Sequence, residues 1–197
     1  GQSCPSFQYD HLLTPGKHIR LGSHDWIILA APGHAIHAIM LYQEETQILI
    51  SADALWEEGF GVVFPELVGD SGFKEVAETI DLIETLDIRL IIPGHGKPFT
   101  DAKKAIDIAR SRLDYLSADI ARNARHAAKV LLKFKLLEWQ TKEISLVNAW
   151  ILETPLFTAI AKQLKLTLEE LTLWLPPALC KAGGAKIDQG RLINIGQ

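Results

Sequence analysis

Three short apolar runs, each stopped by a turn that carries a histidine or an aspartate, constrain this chain more than any other feature. Trp26-Ile27-Ile28-Leu29-Ala30-Ala31 stops at Pro32-Gly33-His34, Gln47 to Ser51 stops at Ala52-Asp53, and Arg89-Leu90-Ile91-Ile92 stops at Pro93-Gly94-His95. Length and β-branched content read each run as a buried strand. Small and turn-forming residues end it, so the side chain that follows projects from the end of a sheet towards a shared space. Taken singly, a histidine or aspartate in a turn is most often a cap or surface residue. Three in order, at the ends of strands of one sheet, point to a site. Imidazole and carboxylate together suit zinc, with iron and manganese as alternatives.

The rest of the first half supplies the scaffold. Gly16 to Gly22 reads as a short strand, and His37 to Tyr42 pairs with Gln47 to Ser51 across Gln43-Glu44-Glu45-Thr46, a connection of hairpin length. A Gly- and Pro-containing loop over 59–72 leads to a helix over 74–86 with Val76, Ile80 and Ile83 on one face. Thr100 is the expected N-cap of a long helix, whose Ile106, Ala109, Leu113, Leu116 and Ile120 step by three and four.

From Asn123 the character changes to helical and basic. Residues 1–99 carry five Lys/Arg against fourteen Asp/Glu, whereas residues 100–197 carry fifteen against ten. Two units are expected, 1–122 and 123–197. In the second, helices are predicted over 127–139 and 145–165, and a third from Thr167, where Thr167 and Glu170 form a capping box. Pro176-Pro177 should end or kink that third helix. Ala185 to Asn194 alternates around a glycine turn and reads as a hairpin, so the outline is three helices and a wing. Hydrophobic residues at 48% exclude a disordered chain. Cys4 and Cys180 alone make no disulfide framework, and no signal segment or apolar span is present, so a cytoplasmic protein with no membrane partner is expected.

Pro32-Gly33-His34 followed by Ile39-Met40-Leu41-Tyr42, the block Ile48-Leu49-Ile50-Ser51-Ala52-Asp53-Ala54-Leu55 and the loop Ile92-Pro93-Gly94-His95-Gly96-Lys97-Pro98-Phe99 together resemble the metallo-β-lactamase superfamily, in its glyoxalase II-like hydrolase branch. The resemblance covers residues 17–100, with His34 and Asp53 nineteen residues apart. It implies an α/β fold, the C-terminal half of a four-layer αββα sandwich, with His34 at a first metal, Asp53 bridging two metals and His95 at the second. The departures are Ala52 where Gly is usual, His37 where Gly or an acidic residue is usual, and the HxHxDH segment, which occurs nowhere in the 197 residues. His37 is expected to support the site, with metal or substrate contact as the lesser role. The resemblance then implies that the HxHxDH-bearing N-terminal half is absent.

The implied function is metal-dependent hydrolysis of an ester, thioester, lactam or phosphodiester by a metal-activated water. Two divalent ions, zinc or else iron or manganese, belong to the complete protein. Three ligands divided between two metals fall short of the usual three or four each, so this chain alone is expected to hold at most one weakly bound ion and to be inactive. Residues 57–64 would form part of the substrate mouth, although their phenylalanines suit a core equally well.

Residues 123–197 resemble, more loosely, the winged-helix-like appendage of several such hydrolases. Arg125, Lys129, Lys133, Lys135, Lys181, Lys186 and Arg191 could touch phosphates. Leu171, Leu173, Trp174 and Leu175 dominate the third helix where base-reading residues would be needed, which favours packing or dimerisation over DNA binding. The expected partners are a small-molecule substrate and a second copy of the chain, with nucleic acid disfavoured. The competing reading is a non-catalytic scaffold, or a nucleic-acid- or protein-binding module that uses the basic C-terminal domain. A half-sandwich should also expose sheet residues such as Ile27, Leu29 and Ile91.

Overall fold

The computed structural model describes residues 6–196, so Cys4 lies outside the described residues. The architecture is mixed α/β and divides into two compact units, residues 6–118 and 119–196.

In the first unit, β1 (His18–Leu21), β2 (His24–Ala30), β3 (Ile39–Gln43), β4 (Ile48–Ala52) and β5 (Leu90–Pro93) form one sheet in sequence order. The first four strands are antiparallel neighbours, and β5 joins β4 in parallel after a crossover through α1 (Pro65–Val68) and α2 (Phe73–Glu84). That parallel pair brings the ends of β4 and β5 to the same edge. α3 (Ala102–Ser117) follows. Its N-cap is Asp101 rather than Thr100, with the Asp101 side chain accepting from the Lys104 N–H at 3.0 Å. Ile120 does not belong to α3 but opens the next helix.

The sheet register decides which face is core. Tyr42 lies opposite Leu49, Leu49 opposite Ile91, Ile27 opposite Tyr42 and Leu29 opposite Met40, so all six share one face. That face packs on Val76, Ile80 and Ile83 of α2 and on Ala105, Ile106, Ala109 and Leu113 of α3. Leu49, Ile80, Ile83 and Ile91 are fully buried, each contributing about 1.5–3 kcal/mol. The expectation that Ile27, Leu29 and Ile91 face outwards is therefore corrected. The other face carries Ile28, Leu41, Ile50 and Ile92. Side-chain period is two, so reading the wrong residue of each pair turns the whole sheet over.

In the second unit, α4 (Ile120–Trp139) buries Ala124, Ala127, Ala128, Leu132 and Leu136 along one stripe. β6 (Thr141–Glu143) follows, then α5 (Ile144–Glu153), α6 (Pro155–Leu164) and α7 (Leu168–Lys181). The single helix predicted over 145–165 is in fact two. Thr154 adopts extended φ/ψ, as a residue before proline prefers, and Pro155 opens α6 at N1. Thr167 and Glu170 make the capping box of α7 in both directions. Pro176 and Pro177 do not end α7, which continues through them to Lys181 with Pro176 buried among its core residues. β7 (Ala185–Asp188) and β8 (Arg191–Asn194) form the hairpin. Its turn residues Gln189 and Gly190 both have positive φ, as a type I′ turn requires. β6 pairs with β8, giving a three-stranded sheet in the order β6-β8-β7. Among the described residues no single helix is long and apolar enough to cross a membrane.

Candidate metal centre

The strand ends converge. Asp53 follows β4, His95 follows β5, and His34 lies in the segment between β2 and β3. One carboxylate oxygen of Asp53, Oδ2, faces His34 Nε2 at 3.4 Å, while the other, Oδ1, faces His95 Nε2 at 3.6 Å. The side chains of His34 and Asp53 are both 27% exposed, and that of His95 is 52% exposed. A carboxylate reached by ions while still held by protein needs this intermediate depth. The structure thus brings together three of the four residues singled out above. His37 is exposed in the turn before β3 and makes no hydrogen bond or ion pair among the described residues.

Backbone geometry aims the carboxylate. The β4–β5 pairing shifts register between Ile50 and Ala52, and Ala52 sits in the left-handed region with φ 47°. This conformation costs an alanine about 1–2 kcal/mol, and three hydrogen bonds hold it in place. Gly94 N–H donates to the Ala52 carbonyl at 2.7 Å, Gly61 N–H to the Asp53 carbonyl at 2.9 Å, and the Ser51 hydroxyl to the Leu55 carbonyl at 2.6 Å. The two glycines are needed for closeness. A Cβ at Gly94 would lie 2.9 Å from Asp53 Oδ1, and one at Gly61 would lie 2.6 Å from His34 Nδ1.

His34 is fixed as firmly. Its Nδ1 lies 2.8 Å from the Val62 carbonyl oxygen, which can only accept, so Nδ1–H is the donor. Phe64 packs edge-on against the ring at 5.1 Å between centroids. With the proton on Nδ1, a neutral imidazole presents the bare lone pair of Nε2 to a carboxylate. That contact is repulsive until a proton or a cation lies between them.

The donor types therefore fit divalent ions. Their number is short. Among the described residues no group of three or more His, Cys, Asp or Glu converges on a single point, because each imidazole faces a different oxygen of Asp53. His34 and His95 thus share the one aspartate. A small cleft beside it is lined by His34, Asp53, Ala54, Phe60, Gly61 and Thr79. Phe60, expected either at a substrate mouth or in the core, is 2% exposed and belongs to the core.

Three orienting groups carry no signal of their own in the sequence: the Val62 carbonyl and Gly61 lie within the loop over 57–64 expected at a substrate mouth, and Trp56 stands three residues beyond Asp53.

Residues 5–95 match the sequence model of a family described as the metallo-beta-lactamase superfamily. No curated protein matches the chain. Similar solved structures include a beta-lactamase domain protein from Burkholderia ambifaria, at 20% identity and TM-score 0.49 over 97% of this chain and 53% of that one. A metallo-beta-lactamase family protein from Thermus thermophilus matches at 20% identity and TM-score 0.48, over 95% of this chain and 55% of that one. A metallo-beta-lactamase from Staphylococcus aureus matches at 22% identity and TM-score 0.45, over 54% and 38% respectively. The chain spans about half the length of the first two.

Proposed function

We propose, from the match of residues 5–95 to the metallo-beta-lactamase superfamily, that this chain carries part of a two-metal hydrolytic centre, with His34 at one ion, His95 at the other and Asp53 shared. The observation that carries this reading is the Asp53 carboxylate, whose two oxygens each face a different imidazole Nε2, at 3.4 and 3.6 Å. When bound, two divalent cations, zinc or alternatively iron or manganese, supply an activated water and a Lewis acid for a carbonyl or phosphoryl oxygen. The chain's own residues orient that pair. The Val62 carbonyl keeps the His34 proton on Nδ1 and frees Nε2 for a ligand. Gly61 and Gly94 let the backbone close on Asp53. The substrate class is an ester, thioester, lactam or phosphodiester. One histidine and a shared aspartate at each ion fall short of the usual three or four ligands, so on this reading the chain alone is inactive.

Titration with Co²⁺, followed by NMR of the histidine rings, tests this reading. Ion-dependent changes at His34 and His95, abolished by Asp53→Asn, are the expected result. Ring signals of His34 and His95 that ignore the ion up to millimolar concentration would overturn it.

A further inference from the structure

We propose that Trp56 is a positioning residue of this centre: its indole N–H holds the Asp53 carboxylate so that one oxygen is given to His34 and the other to His95. The inference rests on the two-metal reading above and adds a residue to it.

An indole nitrogen can only donate. Trp56 Nε1 lies 3.2 Å from Asp53 Oδ1 and 3.2 Å from the Ala52 carbonyl oxygen, so its single N–H is forked between the carboxylate and the backbone of the preceding residue. The last torsion of an aspartate is broad and nearly two-fold. Without a fixed partner the carboxylate could turn its oxygens away from the two imidazoles. The fork fixes that torsion against the Ala52 peptide, which Gly94 N–H holds from the β5 side. The same Oδ1 is the oxygen that faces His95, and the Trp56 ring packs edge-to-face on His95 at 5.2 Å between centroids, 79° between planes. One side chain thus touches both a shared ligand and a terminal one.

Trp56 is itself anchored. Its backbone N–H donates to the Gly59 carbonyl at 2.6 Å, closing a short turn over 56–59. Gly59, at φ 125°, would meet the Arg112 side chain at 2.8 Å if it carried a Cβ, and the Arg112 guanidinium lies over the Phe60 ring at 5.5 Å. A chain of contacts therefore runs from α3 through the turn to the indole and on to the carboxylate. Partners that orient a metal ligand are worth about 10- to 100-fold in affinity.

The test uses the full chain and Zn²⁺. The indole ¹⁵N–¹H signal of Trp56, one of five tryptophans, is identified as the one that disappears in Trp56→Phe. It should shift on zinc addition and in Asp53→Asn, and zinc affinity should fall about tenfold in Trp56→Phe. In the Asp53→Asn background, Trp56→Phe should cost nothing further. Retention of full zinc affinity by Trp56→Phe, with Asp53→Asn losing it, overturns the positioning role and leaves the two-metal reading standing. Zinc binding that is absent in the native chain, or indifferent to Asp53, removes both. Should Trp56→Phe not fold, the Trp56 indole signal is assigned instead by through-bond NMR of the native chain and read in Asp53→Asn, where an unmoved signal overturns the proposal.

Discussion

A Cβ built at Gly61 would lie 2.6 Å from His34 Nδ1 and 3.0 Å from Asp53 Cβ. Neither neighbour can give way cheaply, because His34 is tied to the Val62 carbonyl and Asp53 to the Gly61 N–H itself. Gly61→Ala should therefore cost about 1–3 kcal/mol in urea unfolding, the usual range for overpacking, and should weaken metal uptake as well. A neutral result in both measurements would mean that the loop moves freely. That His34, Asp53 and His95 would meet was legible in the sequence, because each follows a strand in a turn beside a small residue. The groups that orient them were not legible. One is a backbone carbonyl, at Val62, and another is an indole in a loop whose aromatic neighbours suggested plain core.

Between elements, β3 is tied to the connection that leads into β5 by Tyr42, whose hydroxyl donates to the Asp87 carbonyl at 2.7 Å. Burial, with the nearby charges of Asp87 and Glu44, pushes this phenol above the ordinary tyrosine range. The folded state thus holds its proton at pH values where the unfolded chain, titrating near 10, has lost it. The stability that follows is fully present below about pH 10 and is lost as pH rises towards the folded-state value. Tyr42→Phe should cost about 1 kcal/mol at neutral pH for the lost hydrogen bond and should flatten the decline above pH 10, read from urea midpoints across pH. A decline of equal slope in both proteins would remove Tyr42 as its source. Elements were legible where a local signal is strong. The capping box at Thr167 and Glu170 and the Gln189-Gly190 turn are examples. They were not legible where tertiary packing overrides a local rule. Pro176 and Pro177 inside α7 are such a place, as is the sheet face, where alternation alone cannot say which of Ile27 and Ile28 meets the helices.

At the scale of the whole chain, charge separates with the fold. Residues 4–118 carry 17 Asp/Glu against nine Lys/Arg, a formal −8, while the remaining residues carry seven against eleven, a formal +4. The net −4 at pH 7 is therefore a small difference between two opposed regions. A uniformly acidic protein repels its copies, and added salt, by screening that repulsion, brings them closer. Two regions of opposite sign reverse this behaviour, because the acidic part of one molecule attracts the basic part of another. Screening acts over about 10 Å at 0.1 M salt, enough to weaken such contacts between surfaces. Raising NaCl from about 0.02 to about 0.3 M at pH 7 should thus increase the osmotic second virial coefficient measured by light scattering. Near the isoelectric point of about 6.0, where the net charge vanishes, attraction should be strongest and the salt effect largest. A coefficient that falls with salt at pH 7 would show that net charge, and not its separation, governs how copies of this chain meet.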